Sequence, residues 1–561
     1  MSKTYIFAVG GTGARVMRSL TMVLASGGNQ IPKDMEIVPM IYDYDLNNGD
    51  KDRTVEVMDL YKKLHDTIYE SSNAITLERS KGVFFSGKMS MIKDQDGENA
   101  SVTKGQISND SGFNVDMKTC IEKDRVVGNQ SKYLTLKDYI NYDQLDTSIQ
   151  RFVDTLYTDE EKDMELNLGF RGRPNVGCVV IDKIAKLAEY RHFRIVFNAN
   201  DRIVIVGSLF GGTGATCIPS LLRMLREDTR TQNAKIAVVA ALPYFNVTDD
   251  PDSAIDSNTF PAKTKAAIDT YRGMVYNKAN AIYFLGDNGS QGAFENHEGD
   301  KEQENKAALC ELEGAFDILH FINLRDTDLQ GYGNGTNDAL AYENGYNAQE
   351  MPNTVMIEHF MGDNTHNNNL SPYVAALNRL VLFSKFNQKV YSTPAQFATA
   401  NWYNNHLGNN DVQLVIEFKK RLNEFASDLL LWIDELQGDG TPRKLKIFNQ
   451  DIINCGDFLK MFEEPYNNLV KIEHRTLLPD RTVYVKVGRY GCDYKDINSV
   501  NEMLQKEFGS QDSVTKSYLN NANQVANDID IPAFYTELSS IVWNEIYSAI
   551  ITFSSQSNNK K

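Results

Sequence analysis

Two glycine-rich clusters are the part of this sequence whose residue types and spacing point most directly to chemistry. The first cluster comprises Val9, Gly10, Gly11, Thr12, Gly13, Ala14 and Arg15, and the second comprises Gly207, Ser208, Leu209, Phe210, Gly211, Gly212, Thr213, Gly214, Ala215 and Thr216. Glycine allows a positive φ and a close approach of the backbone to a ligand, and consecutive N–H groups beside a helix N-terminus bind anions. One such cluster is also typical of a turn needed only for packing. Two of them in one sheet favour a phosphate site, to which the three threonine hydroxyls can add donors.

Each cluster follows an apolar run and precedes a helical pattern, which places its loop at the carboxyl end of a strand. The strands are predicted at residues 5–9, 36–42, 202–206, 234–242 and 281–285, and the helices at 14–25, 174–190, 217–227, 262–275 and 305–321. Apolar strands that alternate with helices predict an α/β fold with a parallel sheet covered on both faces. Because such sheets bind ligands at the carboxyl ends of their strands, we expect the two clusters to converge there.

The composition of the chain changes along its length and predicts three regions. Residues 1–330 carry the α/β pattern and form the predicted nucleotide-binding domain, interrupted by a polar insertion at about 51–165 with helices of its own. Residues 331–370 are rich in glycine and asparagine and are predicted to be a linker. Residues 371–561 contain long amphipathic patterns, which predict a helix-rich C-terminal domain.

Charge and hydrophobicity exclude several classes of protein. The 561 residues include 58 Lys and Arg against 75 Asp and Glu, so the formal net charge is −17. This balance argues against a nucleic-acid partner, because phosphate neutralisation needs a basic face. No run of 18 apolar residues and no signal-peptide pattern is found, so we expect no membrane span and a cytoplasmic location. The six cysteines lie far apart, and neither a zinc site nor a disulfide framework is predicted.

Neither glycine cluster fits a standard nucleotide motif. A P-loop needs a lysine after its glycines, and both clusters lack it. Gly11 and Gly13 begin a dinucleotide fingerprint, but Val16 occupies the position of its third glycine. A Rossmann-type NAD(P)-dependent oxidoreductase therefore stays an alternative, in which Asp43 would be the acidic residue at the end of the second strand.

The second cluster closely resembles the phosphate-binding signature of the tubulin and FtsZ family. Residues 205–215 read IVGSLFGGTGA, with a GGTG core between a strand and a helix as in that family. The other loops resemble those of the family in the same order along the chain. Residues 10–15 resemble its first phosphate loop, and residues 43–48 lie where its second loop carries an aspartate that faces the phosphates and magnesium. Residues 172–177 are similar to its third loop, and residues 242–245 to the loop beneath the ribose.

The resemblance implies a GTP/GDP-binding domain that uses Mg²⁺ and assembles with further copies of itself, in filaments. Besides the two clusters, it implies nucleotide contacts from Asp45, Gly172, Pro174, Pro243 and Asn305, the last as the guanine-reading residue at the start of the central helix. It implies Asp43 and Asp45 as the residues near magnesium. We further expect Gly212 or Gly214 to need a positive φ, and valine at either position to weaken GTP binding while the fold is kept.

The end of the central helix departs from the family pattern. In the family, acidic residues after this helix complete the hydrolytic site of the next subunit in a filament. Asp328 matches the last of these acids, whereas Arg325 replaces the middle one and Asp326 lies one position further along. The resemblance thus implies Asp326 and Asp328 as catalytic residues toward a neighbouring subunit. Arg325 leaves open a scaffold protein that forms filaments without hydrolysing GTP.

Overall fold

The structure divides the chain into two compact units. The computed structural model describes residues 2–27, 31, 35–70, 84–97, 100–109, 111–124, 131–170, 172–247, 257–286, 293–294, 305–345, 362–363, 369–370, 372–392, 394–397 and 413–437. The first unit consists of Met1–Leu20, Asp34–Met58 and Met89–Ile357, and the second of Thr21–Lys33, Asp59–Lys88 and Glu358–Lys561.

A seven-stranded sheet forms the centre of the first unit, with the strand order β3-β2-β1-β4-β5-β7-β9. Its strands are β1 Ser2–Val9, β2 Met35–Tyr42, β3 Lys88–Met89, β4 Arg202–Ser208, β5 Lys235–Ala241, β7 Ala281–Gly286 and β9 Leu340–Gly345. The pairs from β2 through β9 are parallel. Strands buried on both faces need continuous apolar runs, and β4 and β5 supply them with residues such as Ile203, Val204 and Val239. The expected α/β fold with a parallel sheet is confirmed.

Proline in β2 is tolerated because this strand lies near the edge of the sheet. Pro39 pairs in register with Ile6 of β1, and the other side of β2 carries the two-residue strand β3 and a single bridge at Ile41. A proline lacks the N–H that a central ladder requires, and it is accepted where little of the ladder depends on it.

The described helices belong to both units. They are α1 Gly10–Ser26, α2 Gly49–His65, α3 Ser101–Lys104, α4 Lys118–Ile121, α5 Leu136–Tyr139, α6 Thr147–Leu156, α7 Asp159–Asp163, α8 Pro174–Val180, α9 Ala188–Val196, α10 Gly212–Glu227, α11 Phe260–Met274, α12 Leu309–Asn323, α13 Pro372–Ser392 and α14 Gln413–Gln437. Two-residue strands complete the elements: β6 Asn246–Val247, β8 Ala293–Phe294, β10 Gly362–Asp363 and β11 Asn369–Leu370.

Several boundaries differ from the sequence predictions for local reasons. The helix predicted at 217–227 begins five residues earlier, at Gly212, so the last glycines of the second cluster are helical. The helix predicted from 305 begins at Leu309, where Glu311 accepts a hydrogen bond from the N–H of Ala308 at 3.1 Å. The stretch predicted as one helix at 174–190 is divided into α8, a 3₁₀ segment and α9.

Part of the polar insertion packs onto the sheet. Ile92, Val115 and Ile121 belong to the same buried cluster as the core residues of β1 and β4. The N–H of Val115 donates to the carbonyl of Ile41 at 3.0 Å and so extends the hydrogen bonding of β2. The sequence of this region is polar on average. Many of its apolar residues are buried, whereas Val102, Ile149, Phe152 and Leu156 are exposed.

The stretch predicted as a linker contributes a strand. Residues 340–345 form β9 and pair in parallel with β7 over six positions, from Ala281 opposite Leu340 to Gly286 opposite Gly345. Glycine and asparagine are weak signals for a strand, which explains why the pattern of 331–370 predicted a connection. Most of the remainder of 346–371 lies outside the described residues.

The second unit contains two long helices that pack against each other, α13 and α14. Aromatic side chains join them to the segment after α2, with ring centres of Phe84 and Phe383 at 4.8 Å and of Phe85 and Phe425 at 5.0 Å. The part of the predicted helix-rich C-terminal domain beyond residue 437 lies outside the described residues. Among the helices that the structure describes, none is long and apolar enough to cross a membrane.

Candidate functional site

A cavity of about 190 Å³ lies in the first unit, at the carboxyl ends of β1 and β4. This is the point of the sheet where the strand order reverses, since β2 lies on one side of β1 and β4 on the other. Open α/β sheets bind their ligands at such a point. The residues that line the cavity are Gly10, Gly11, Thr12, Arg15, Asp43, Asp45, Asn48, Asp50, Leu168, Gly169, Phe170, Gly172, Ser208, Phe210, Gly211, Gly212, Thr213, Gly214, Phe245, Val247, Phe260 and Asn305.

Helix α1 begins at the cavity directly after β1. Gly10 has a φ of +68°, which a side chain would strain, so the turn from strand to helix needs glycine at this position. Gly13 serves packing instead, because a Cβ there would lie 2.8 Å from the carbonyl carbon of Ala8 and 2.9 Å from the carbonyl oxygen of Val206. The first N–H groups of the helix have no intrahelical partner, and they lie at the cavity.

Helix α10 begins at the same cavity. Its N-cap is Gly211, whose lack of a side chain leaves the first N–H groups without a side-chain cap. The hydroxyl of Thr216 donates to the carbonyls of Gly212 and Pro174, both at 2.9 Å. Thr216 therefore fixes the third predicted loop against α10, and the structure does not place it on the cavity wall. Two helix N-termini, both rich in glycine, face one cavity, an arrangement that favours an anion.

The expectation for Gly212 and Gly214 is wrong in its structural part. Neither has a positive φ. Among the glycines of the cavity wall, that conformation belongs to Gly10, Gly169 and Gly172, with φ of +68°, +70° and +67°. A Cβ on Gly214 would overlap the backbone of Ser208, and one on Gly212 would lie 2.8 Å from the Cβ of Phe170. Valine at either position thus disturbs packing, because these glycines allow helix α10 to approach its neighbouring loops.

An acidic pair lies at the carboxyl end of β2. Asp43 is buried, its Oδ1 accepts the N–H of Asp45 at 3.1 Å, and its Oδ2 has no hydrogen-bond partner among the described residues. Burial raises the pKa of Asp43 to about 7, although the buried Lys51 opposes the shift. Nζ of Lys51 donates to the carbonyl of Asp45 at 2.6 Å. Asp43 and Asp45 both line the cavity, so the unpartnered oxygen lies where a cation could meet it.

Arg15 is held by a buried network on the other side of the cavity. Its Nε donates to Oε1 of Glu311 at 2.6 Å, and its Nη2 donates to the hydroxyl of Tyr244 at 2.5 Å. The Tyr244 hydroxyl donates in turn to the same Glu311 oxygen at 2.9 Å. Burial lowers the pKa of Arg15, but the neighbouring phenol and carboxylates raise it by more, so the guanidinium stays charged. The guanidinium carbon lies 5.3 Å from the ring centre of Phe245.

Asp50 joins this network to Asn305. Oδ2 of Asp50 accepts hydrogen bonds from Nη1 of Arg15 at 3.3 Å and from Nδ2 of Asn305 at 2.9 Å. Its Oδ1 accepts the N–H of Asn305 at 2.9 Å and Nη2 of Arg53 at 3.3 Å. Arg53 also donates to the carbonyl of Asn305 at 2.5 Å. Asn305 thus lies at the cavity in an extended segment ahead of α12, fixed by residues of α1 and α2.

The two predicted catalytic acids lie away from this cavity, beyond the C-terminal end of α12. The side chain of Asp326 accepts a hydrogen bond from Nη2 of Arg202 at 2.9 Å. Both oxygens of Asp328 are bound by the guanidinium of Arg325, at 2.8 and 3.1 Å. These hydrogen bonds lower the pKa of the Asp328 carboxyl. Both acids are therefore ion-paired, and neither contacts the glycine clusters of its own chain.

The structure brings together most of the predicted nucleotide-binding residues. Those that it does not place on the described cavity wall are Gly13, Ala14, Pro174, Pro243, Ala215 and Thr216. Three wall residues, Asn48, Ser208 and Phe245, lie in loops matched to the family but were not predicted as contacts themselves. Sequence reasoning missed the other wall residues altogether: Asp50, Leu168, Gly169, Phe170, Val247 and Phe260. Asn48 carried a usable signal, because an asparagine before a helical pattern is a typical N-cap and its Oδ1 accepts the N–H of Lys51 at 3.0 Å. The aromatic wall residues carried none.

Among the residues that the structure describes, no group of three or more His, Cys, Asp or Glu side chains could hold a metal ion by itself. Comparison with known proteins adds no name to this site. No family model matches the chain, and a search of the curated proteins finds no match. The functional conclusion therefore rests on the residues of the cavity.

Proposed function

We propose that this chain is a tubulin/FtsZ-like GTP-binding protein that binds GTP or GDP with Mg²⁺ and assembles with further copies of itself into filaments. The α/β domain of residues 1–330 would hold the nucleotide, and the helix-rich remainder of the chain would follow it. The proposal combines the resemblance of the GGTG segment to the family signature with the geometry of the cavity.

The observation that carries the proposal is the convergence of two glycine-started helices on one cavity. The N-termini of α1 and α10 both lie there, and both helices present backbone N–H groups. The N-cap of α10 makes no side-chain hydrogen bond to the first N–H groups of that helix. Two helix dipoles and two rows of N–H groups suit a ligand with several phosphates, where a single loop would suit one. Backbone N–H donors would then stabilise the phosphate charge, as the lysine of a P-loop does.

The acidic side of the cavity fits a divalent cation. Oδ2 of Asp43 is buried without a hydrogen-bond partner in the part of the chain that the structure describes, and Asp45 also lines the cavity. Hard cations such as Mg²⁺ prefer carboxylate oxygens and commonly keep water while they bridge to phosphates. When bound, the cation would neutralise phosphate charge, and Asp43 and Asp45 would hold it directly or through water.

Hydrolysis is the step on which two candidate functions differ. In the first, Asp326 or Asp328 of one subunit orients water at the nucleotide of the next, and the chain is a GTPase. In the second, the chain forms filaments without hydrolysis. The ion pairs that hold Asp326 to Arg202 and Asp328 to Arg325 favour the second, because an acid must leave its partner before it can position water.

A calorimetric titration tests the proposal. The purified full chain with MgCl₂ is titrated with GTP and GDP, and with ATP and NADH as ligands of other classes. Micromolar affinity for GTP and GDP is expected, with weaker binding of the other two. No binding of GTP in the presence of Mg²⁺ contradicts the proposal, and preferential binding of NADH supports a dinucleotide enzyme instead.

Assembly and turnover are measured in one further experiment. Pelleting with GTP, followed by electron microscopy of the pellet, detects filaments, and phosphate release is assayed in the same samples. Pelleting with phosphate release supports the GTPase, pelleting without release supports the scaffold, and the absence of any GTP-dependent pellet contradicts self-assembly.

A further inference from the structure

The side chain of Asp50 has no hydrogen-bonding capacity left for a ligand, although it lines the cavity. Each of its two oxygens accepts two hydrogen bonds, and all four donors belong to Arg15, Arg53 and Asn305. Asp50 is 1% exposed. A carboxylate oxygen has two lone pairs, so this carboxylate is saturated by the protein itself. Its role must therefore be exerted through the residues that it holds.

The hydrogen bonds that Asp50 accepts have a chemical consequence for Asn305. A carboxylate only accepts hydrogen bonds, so the atom of Asn305 that faces Asp50 has to be the amide nitrogen. Its backbone is fixed as well, by the N–H that donates to Asp50 and by the carbonyl that accepts from Arg53. Since Nδ2 is turned to Asp50, Oδ1 is the part of the amide left for a ligand, and it accepts no hydrogen bond from the residues that the structure describes.

We propose that Asp50 is a positioning residue that sets the base specificity of the cavity by locking the Asn305 amide with its oxygen toward the ligand. The proposal rests on the nucleotide-binding function proposed above and deepens it. On the pyrimidine edge of the base, guanine presents the N1–H and the 2-amino group as donors, whereas adenine presents N1 as an acceptor. The family resemblance implies that Asn305 meets the base at this edge. An acceptor oxygen there selects the 6-oxopurine, and a flipped amide would select adenine.

Asp50→Asn tests the lock with almost no change in shape. On whichever side it lies, the new NH₂ faces two donors, and the negative charge between Arg15, Arg53 and Asn305 is lost, so the hold on the Asn305 amide is weakened. We expect the ratio of GTP affinity to ATP affinity to fall at least about tenfold, the scale of one hydrogen bond to a base. ATP affinity itself should stay the same or rise, which general damage to the site would not produce.

Three further variants separate positioning from structural effects. Asp52→Asn makes the same chemical change two residues away, on the same helix and without a hydrogen bond to Asn305, and should keep the wild-type ratio. Asn305→Ala should lose the discrimination directly. The double variant Asp50→Asn/Asn305→Ala should discriminate no less than Asn305→Ala alone, because Asp50 acts only through Asn305. Circular dichroism and thermal melting of each variant establish that it is folded.

The outcomes distinguish this inference from the function on which it rests. If the wild type binds neither GTP nor ATP, the nucleotide site and the lock both fail. If it binds both equally, or if folded Asp50→Asn keeps the wild-type ratio, only the lock fails. If Asp50→Asn does not fold, 1-methylguanosine triphosphate replaces it: this nucleotide lacks the N1–H donor, so the wild type should bind it at least about tenfold more weakly than GTP, and equal affinity overturns the inference.

Discussion

The guanidinium of Arg202, at the start of β4, holds the carboxylate of Asp326 at 2.9 Å beyond the end of α12. The same guanidinium donates to the carbonyls of Phe321, Ile322 and Leu324, at 2.6 to 3.1 Å. The last carbonyls of a helix lack intrahelical partners, and a cation there also complements the helix dipole. One arginine thus caps the central helix and restrains an acid that the family resemblance implies in hydrolysis.

Removal of Arg202 should destabilise the first unit. The side chain is buried, and Arg202→Ala leaves several carbonyls without their charged donor, so we expect a loss of about 1.5–3 kcal/mol in the free energy of unfolding. Asp326→Asn is the matched comparison, since this acid is 75% exposed and should contribute about 1 kcal/mol or less. Urea denaturation measures both. Equal losses for the two variants would show that the ion pair, and not the cap, provides the stability.

Asp326→Asn and Asp328→Asn should separate binding from hydrolysis. Neither residue lies at the cavity of its own chain, so we expect both variants to bind GTP as the wild type does. If the chain is a GTPase completed by its neighbour, phosphate release from assembled protein should fall at least about tenfold for one of the two, because the water loses its orienting acid. Wild-type release from both variants would remove these acids from the mechanism.

Glycine substitutions should divide into packing and binding effects. Gly214→Ala places a Cβ against the backbone of Ser208, and overpacking of this kind costs about 1–3 kcal/mol of stability. A Cβ on Gly11 would meet only Nδ2 of Asn48, at 3.5 Å, an ordinary contact. Gly11→Ala should therefore keep the thermal midpoint and weaken GTP binding, because the methyl group enters the cavity wall. Calorimetry and thermal melting check the pair, and weak folding of Gly11→Ala would contradict the division.

Asp43 should make the stability of the chain depend on pH. Burial raises its folded pKa from 3.8 to about 7, so the folded state binds a proton more tightly than the unfolded state. The stability that this group contributes is present below about pH 4 and is lost as the pH rises through about 7. Asp43→Asn cannot ionise, and the wild type should therefore lose stability relative to it between pH 4 and 7 and stay level above about pH 8. Urea denaturation at these pH values measures the difference, and a constant difference would mean that Asp43 titrates normally.

Much of the fold follows from the sequence because its strands are short and continuously apolar. Residues 202–206 could only be buried on both faces, and the structure places them at the centre of the sheet. The strand at 340–345 could not be predicted in this way, since its pairing with β7 supplies what its own propensity lacks. Likewise, the start of α12 at Leu309 depends on Glu311 and on the fixed segment before it, which periodicity does not show.

The glycine-rich backbone loops of the candidate site could be predicted from the sequence. The side-chain contacts between distant segments that complete the site were missed. Gly10 and Gly211 could be predicted as site residues from their residue type alone. The saturation of Asp50 depends on Arg15 and Asn305, which lie 35 residues before it and 255 after it. No local pattern contains that information. For the same reason, the packing role of Gly214 became evident only from the position of Ser208.

The network around Arg15 also has a consequence for the order in which the chain acquires its binding site. Three partners of this buried cation come from positions 50, 244 and 311, so this set is complete only after the chain has been synthesised as far as Glu311. Contacts of such long sequence separation form late, because loop closure has to precede them. We therefore expect helix α1 to reach its final position during translation only after the start of α12 has been synthesised. The cavity is then one of the last parts of the α/β unit to form. A nascent chain that has not reached Glu311 carries both glycine clusters but not yet the complete network around Arg15.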